Sequence, residues 1–508
     1  MNKIKKILLL FFLVITTFKL YAQSLAEVDS AIVKDGSAID FFGSSVSLSN
    51  NGSTALVGAH GFIVNGKPDT GKALVYVREN GKWVLQAELI ADDPEMNARF
   101  GMTVSLSSDG NTAIVGAPYK KNDTIENAGK VYIFSRTGSL WSKQAEFISG
   151  EATQSSVYGW SVSMAGDGKT AIVGAKRVSS KGKVYIYTRS GNTWTKQGDI
   201  MGESNGDSFG ESVCLTSDGN TAMIGAYYKS QQFSQQGVVY VYSRTGSVWS
   251  QITKFSATDK NSYDRFGTFV DISGDGNTAV IAASGKEIDQ IKFRGKIYVF
   301  GKSGNTWTEQ ASFIDSSGLV YDNMGRCVIS DDGNIILFGN GERKLGGTAR
   351  GKVFVYVRQG ASWSKLDEIY SSEPVDYDRF GSSLAISGDG KVSLIASPTR
   401  RTGISSPMGK VYFFENDIVI SGINNEEASS YEMTCFPNPT DGWIKLASGK
   451  IKGSIEIEML TSEGHPISRN KYNDMSDLSL ELTGPSGLYF LKIFGANGEQ
   501  CVLKVIKE

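Results

Sequence analysis

The side chains best suited to recognition form a scattered set of tyrosines and cations: Tyr119 and Lys120, Lys176, Tyr227 and Tyr228, Tyr263 and Arg265, Tyr377 and Arg379. A phenol offers a flat apolar ring with one polar tip, and Tyr and Arg are the types favoured at binding hot spots. Signals for bond-making are sparse. The chain has two histidines, His60 and His465. Each sits in a loop, where an imidazole is ordinarily solvated, without the partners of a Ser-His-Asp triad or a metal site. No G-x-S-x-G, Walker or zincin motif occurs. Carboxylate pairs such as Asp92-Asp93 and Asp376/Asp378 are loop acids, and a glycosidase reading would require a defined separation across a cleft. The expectation is a non-enzyme with no catalytic residues, metal or cofactor, and with the nine residues above as ligand contacts.

Those residues are carried by a repeat. Taking the glycine of each D-G or N-G step as anchor gives Gly52, Gly110, Gly168, Gly219, Gly276, Gly333 and Gly390, spaced 51 to 58 residues apart. Self-similarity at such a period marks a repeat architecture. Each copy reads as four short strands. V-S-L-S alternates and ends at the D-G step, which favours a tight hairpin into T-A-I-V-G-A. A polar loop precedes a strand apolar on both faces, such as Lys130-Val131-Tyr132-Ile133-Phe134. A second tight turn, Thr137-Gly138, leads to a tryptophan and a fourth strand. Six tryptophans (Trp83, Trp141, Trp194, Trp249, Trp307, Trp363) share that repeat position and read as core. Seven such meanders predict an all-β fold, a seven-bladed β-propeller.

The Phe-Gly pairs at Phe42-Gly43, Phe100-Gly101, Phe209-Gly210, Phe266-Gly267 and Phe380-Gly381, with Gly116-Ala117-Pro118 downstream, resemble FG-GAP repeats. These build the propeller at the head of integrin α subunits and of many bacterial surface proteins. The third copy departs with Tyr158-Gly159, and the sixth with Asn323-Met324-Gly325 and one residue missing. The recurrent glycines and alanines read as packing residues that let strands approach closely. Some FG-GAP propellers hold calcium in the first hairpin turn. Here Ser107-Ser108-Asp109-Gly110-Asn111 supplies one carboxylate, too few for a cage of six to eight oxygens.

The seventh copy ends after Val411-Tyr412-Phe413-Phe414 with no tryptophan strand, and Leu25 occupies the tryptophan slot ahead of Gly43. The N-terminal segment is therefore expected to supply the outer strand of the last blade, closing the ring. In a meander, the D-G and T-G or S-G hairpins share one face and are uniform. The other two connections share the opposite face, vary in length, and carry all nine candidate residues. Function tends to live on such loops. The repeated Tyr-Asp-Arg of Tyr263-Asp264-Arg265 and Tyr377-Asp378-Arg379 also reads as an ion pair within a blade.

Residues 1–22 have lysines before an apolar run from Ile7 to Val14, and read as a secretory signal peptide cut before Gln23. No later run is long enough for a transmembrane segment. The repeat region spans 23–416, a linker 417–432, and a small C-terminal β-sandwich 433–508. With 52 basic and 53 acidic residues and a formal net charge of −1, no bulk field favours nucleic acid. Four cysteines are too few for a disulfide scaffold. Cys214 and Cys327 read as free buried thiols, while a Cys435–Cys501 disulfide stays open.

In the last module, Cys435-Phe436-Pro437-Asn438-Pro439-Thr440-Asp441-Gly442, Ser462-Glu463-Gly464 and Ser486-Gly487-Leu488-Tyr489-Phe490-Leu491-Lys492-Ile493 closely resemble the type A C-terminal sorting domain of the type IX (Por) secretion system. The resemblance implies a Gram-negative bacterium of the Bacteroidetes kind. It also implies the secretion machinery as partner, and a product that is secreted or held at the outer-membrane surface. The functional expectation is a non-catalytic binding or adhesion propeller for an extracellular protein or glycan. A polysaccharide-active enzyme and a structural envelope component are the alternatives.

Overall fold

Strand order follows the repeat because each hairpin turn is chemically locked. In the second copy Asp109 Oδ1 accepts from Ser107 Oγ (2.5 Å) and Asn111 N (2.9 Å), and Ser107 Oγ accepts from Thr112 N (3.0 Å). Gly110 adopts the positive φ of 67° that the turn needs. The carboxylate is thus occupied by its own turn. The computed structural model describes residues 25–32, 40–151, 153–342, 344–345, 348–360, 362–401 and 408–415, and, beyond these, 433–436, 442–448, 454–461, 466–473, 478–483, 487–495 and 500–507. Residues 1–22, the linker 417–432, His465 and the side chains of Cys435 and Cys501 lie outside this set. Apart from one 3₁₀ turn, Val178–Ser180, the described regular structure is all β.

Ser24–Ile418 forms one compact unit. Its described residues form seven four-stranded antiparallel sheets, consistent with a β-propeller. The first comprises Phe42–Leu48, Thr54–Ala59, Lys72–Glu79 and Lys82–Leu89, in that order. The last comprises Ser383–Ile386, Val392–Ser397 and Lys410–Glu415, and its outer strand is Ala26–Ala31, paired antiparallel to Lys410–Glu415. The chain's beginning therefore completes the sheet at its end, as the tryptophan-slot reading expects, and Leu25 is buried.

Backbone hydrogen bonds join each sheet to the next at the D-G turns. Asn50 N donates to Ser108 O, Ser108 N to Gly166 O, Asp167 N to Ser217 O, and Ser217 N to Gly274 O. Gly274 N then donates to Asp331 O, Asp332 N to Gly388 O, and Gly388 N back to Asn50 O, each at 2.8–3.2 Å. The circuit is closed. Inside it the seven first strands line a cavity of about 290 Å³. Side chains staple the same strands: Ser47, Ser105 and Ser163 hydroxyls accept from Leu106 N, Met164 N and Leu215 N at 3.0–3.2 Å. In the fifth sheet Asp271 takes that role, accepting from Ile329 N at 2.9 Å.

The Phe-Gly and Gly-Ala residues pack as expected. A Cβ on Gly58 would lie 1.9 Å from Gly101 O, and one on Gly71 would lie 2.0 Å from Phe100 O. Phe100, Tyr158, Phe209, Phe266 and Phe380 are buried edge-on against third-strand Tyr132, Tyr185, Tyr240, Tyr298 and Tyr412. The tryptophans differ from the uniform core expected. Trp83, Trp194 and Trp307 are buried, but Trp141, Trp249 and Trp363 are half-buried beneath the Arg136, Arg244 and Arg358 guanidinium groups. Each of those arginines also reaches a threonine hydroxyl of another sheet, which holds it over the ring. Cys214 and Cys327 are free and buried, as read from sequence.

In the C-terminal unit, Met433–Phe436, Trp443–Ser448 and Leu478–Glu481 form a three-stranded sheet. Pro466–Tyr472, Ile455–Thr461, Gly487–Gly495 and Gln500–Lys507 form a four-stranded one. Ile444, Leu446 and Leu480 of the first share a hydrophobic cluster with Ile457, Leu491, Ile493 and Val505 of the second. Among the described residues no helix is long and apolar enough to cross a membrane.

Candidate functional site

Several of the irregular loops owe their shape to buried charge. Ahead of most Phe-Gly-type pairs lies a tripeptide whose centre is buried and whose flanks twist through positive φ. Tyr263 and Arg265 (66° and 58°) flank Asp264, and Tyr377 and Arg379 (66° and 55°) flank Asp378. Asp264 accepts from Asn261 N (2.6 Å) and pairs with Lys286 (2.8 Å); Asp378 accepts from Val375 N (2.8 Å) and pairs with Arg400 (2.9 Å). Asp207 pairs likewise with Lys229 at 2.8 Å. Each pair is internal to one sheet's loops. The central aspartate pairs with a cation from the next loop and not with the arginine beside it, and the flanking tyrosines are turned out. Non-glycine residues at positive φ are costly, and the anchored aspartate holds them there.

This corrects part of the sequence expectation. Lys120 is not an accessible contact: it is buried, 3.1 Å from Glu95 and paired with Asp93. Lys176 is buried too, 3.0 Å from Glu211 and 3.1 Å from the centre of the Trp160 ring. A cation on a short connection between two strands can shed its hydration only if a carboxylate is near, so the fold places one there. His60 is not solvated: it stacks on Phe41 at 4.8 Å, with Nδ1 buried and without a hydrogen-bond partner. Burial, and then the charge of Arg99, lowers its pKa to about 4, so the ring is neutral at pH 7.

Four of the nine predicted residues come together where the third, fourth and fifth sheets meet at the loop-rich mouth of the ring. Tyr227 and Tyr228 stack at 3.9 Å. The Arg265 guanidinium lies 5.6 Å from the Tyr228 ring and 5.2 Å from the Phe293 ring, and Phe293 stacks on Tyr321 at 5.2 Å. Lys176 joins through Glu211, whose Oε1 also accepts from Trp160 Nε1 at 3.1 Å. Burial and the Glu211 charge raise the Tyr227 pKa well above the usual phenol range, so it stays protonated at neutral pH. On the sixth sheet's first strand Arg326 lies 3.9 Å over Phe269. Solvent reaches Arg326, so its guanidinium stays charged. Trp160, Glu211, Phe269, Phe293, Tyr321 and Arg326 escaped the sequence reading.

The other predicted residues lie apart. Tyr119 sits under Arg99 at 4.7 Å, Arg379 pairs with Glu342 at 3.2 Å, and Tyr263 and Tyr377 are about half exposed, 49% and 53%. Among the described residues no group of three or more His, Cys, Asp or Glu side chains is placed to hold a metal ion.

Fold and site together define an all-β repeat protein that gathers aromatic and cationic side chains at one end of a ring of sheets. Comparison with known proteins agrees. Residues 27–76, 83–134, 141–187 and 249–300 match the FG-GAP repeat family. Mouse integrin alpha-X is 30% identical over 141 residues, 25% of this chain and 12% of that protein. Integrin alpha-4 of Xenopus laevis is 32% identical over 143 residues, 26% of this chain and 14% of that protein. The chain therefore matches about an eighth of the length of these relatives. A solved structure, a putative 6-phosphogluconolactonase from Bacteroides uniformis, aligns with a TM-score of 0.45 at 12% identity, covering 66% of this chain and 87% of that one. The repeat matches and the relatives support an integrin-like FG-GAP propeller.

Proposed function

We propose that the chain is an exported, non-catalytic binding or adhesion module. In this reading, seven FG-GAP blades display the loop-rich face to an extracellular protein or glycan. The small C-terminal β-sandwich serves as a type IX sorting domain that delivers the product to the medium or the outer-membrane surface of a Bacteroidetes-like bacterium. FG-GAP matches and integrin relatives favour a binding role and an extracellular or surface location. The observation that carries the reading is the buried aspartate under each outward-turned Tyr, because it fixes contact residues before a partner arrives. The test is capture of surface proteins and a glycan array with the full chain, against variants Tyr263→Ala, Arg265→Ala and Tyr377→Ala. Loss of binding in at least one loop-face variant, at unchanged melting temperature, is the expected result. Binding indifferent to all three removes the site from this face.

One observation favours a polysaccharide-cleaving enzyme as second reading. Burial lowers the Lys176 pKa beside Glu211 and Tyr227, giving convergent proton-handling groups. The 3.0 Å pairing of Lys176 with Glu211 and the protonated state of Tyr227 leave no free base, which is why binding is preferred. Release of new reducing ends from an acidic polysaccharide by the full chain, abolished by Lys176→Met, would establish cleavage.

A further inference from the structure

Many cations of the loop-rich face are neutralised by the protein's own carboxylates. Lys120, Lys176, Lys229, Lys286, Arg350, Arg379 and Arg400 each have a carboxylate within ion-pair distance. Arg265 and Arg326 do not: among the described residues neither guanidinium has an ion-pair partner, and Arg265 Nε is buried with no hydrogen-bond partner. Both lie against rings, Arg265 near Tyr228 and Phe293 and Arg326 over Phe269. Ring contact orients a guanidinium and leaves its planar fork of donors free, which suits a bidentate anion. A buried unpaired donor also carries a desolvation cost that a bound acceptor would remove.

The surroundings say what kind of molecule would carry that anion. Tyr321 is 60% exposed and backed by Phe293, so one flat face is held firmly while the rest meets solvent. Tyr227–Tyr228 supplies a second stacked pair beyond Arg265. Flat apolar faces alternating with an anion-seeking fork match a chain of pyranose rings bearing acidic substituents: ring faces lie on the aromatics and the acidic group reaches the guanidinium. An acidic peptide would use the forks but has no need of the flat faces between them. Resting on the binding reading above, we propose that the Tyr228–Arg265–Phe293–Tyr321 ladder, with Arg326 across the mouth, is a subsite for an anionic saccharide carrying carboxylate or sulfate groups.

The experiment is isothermal titration of the full chain with four probes: tetragalacturonate, a sulfated galactan tetrasaccharide, cellotetraose and a tetra-aspartate peptide. Binding of at least one acidic saccharide, at least about tenfold tighter than cellotetraose and than the peptide, is expected. Arg265→Ala should weaken it by about tenfold or more, Arg265→Lys should not restore it, and Arg326→Gln should weaken it as well. Affinity should fall as salt is raised from about 50 to about 500 mM. The two acidic probes distinguish carboxylate from sulfate. Equal binding of cellotetraose, or acidic-saccharide binding untouched by Arg265→Ala in a variant that melts like the parent, overturns the proposal. So does preference for the peptide, although that outcome, like capture of a protein through Arg265, leaves the loop-face binding role standing.

Discussion

Asp271 occupies the staple position that serine holds in three other sheets, and its replacement by asparagine should stabilise the protein at neutral pH. The carboxylate faces the central cavity, accepts from Ile329 N (2.9 Å) and Ile272 N (3.0 Å), and has no cation beside it. Burial, opposed by those hydrogen bonds and reinforced by Asp331, raises its pKa from 3.8 to about 7. In the unfolded chain the proton leaves near 3.8, so between about pH 4 and 7 the folded state holds a proton that the unfolded state has lost. The stability associated with Asp271 is present below that window and declines as pH rises through it. At about 1.4 kcal/mol per pKa unit the full loss is roughly 4 kcal/mol; water in the cavity reduces this to about 2–4 kcal/mol. The side-chain amide in the Asp271→Asn variant keeps a carbonyl to accept from Ile329 N, gives up the second acceptor that Ile272 N uses, and carries no charge. The other groups at the cavity, Cys214, Cys327 and Asp331, all have raised pKa values and are common to both proteins. Thermal and urea melts of both proteins from about pH 4 to 8 should show the variant about 1 kcal/mol the less stable at the acid end, for the lost acceptor, then gaining on the parent to about pH 7, where it is the more stable, and flat above it. A difference independent of pH, or a variant less stable at the alkaline end, would refute the assignment.

Three further outcomes follow from the same packing. Deleting residues 24–32 removes the outer strand paired to Lys410–Glu415 and exposes that edge, so the repeat unit should melt several degrees lower and aggregate on heating. Gly58→Ala should cost about 3 kcal/mol, because its Cβ would meet Gly101 O at 1.9 Å, whereas Gly150→Ala, with nothing within 4 Å, should be near neutral in the same melts. Asp264→Ala leaves Lys286 buried with only Asp259 at 3.4 Å; it should cost about 3 kcal/mol and weaken ligand capture through the adjoining Tyr263 and Arg265.

The periodic part of this protein was legible because its determinants are local. Asp-Gly and Asn-Gly turns, the tryptophan slot and the Phe-Gly pair recur in register, and an apolar Leu25 in that slot was enough to place the closing strand. The loops were legible in part. Their residue types pointed to Lys176, Tyr227, Tyr228 and Arg265, which do converge, but gave no account of which cations are neutralised from a distance. Asp93, Glu95 and Glu211 lie in other connections, so Lys120 and Lys176 looked free when they are buried. The missed residues had a signal. Immediately after the Phe-Gly-type pair the repeat places Ser44, Met102, Trp160, Glu211, Thr268 and Ser382. A position that varies this widely beside a uniformly packed pair is facing something other than the core, and here it faces the mouth of the ring. Arg326 was hidden by the residue missing from the sixth copy, which shifts it by one against its counterparts.

The central claim is that the loop-rich face makes the contact, and covalent footprinting of the full chain with and without its captured ligand tests it most directly. Arginine- and tyrosine-selective labelling should be suppressed at Arg265, Arg326, Tyr228 and Tyr321, with unchanged labelling at Tyr242 and Arg189 near the opposite hairpins. Protection at those hairpin residues, with Arg265 and Tyr321 still labelled at the free rate, would contradict it.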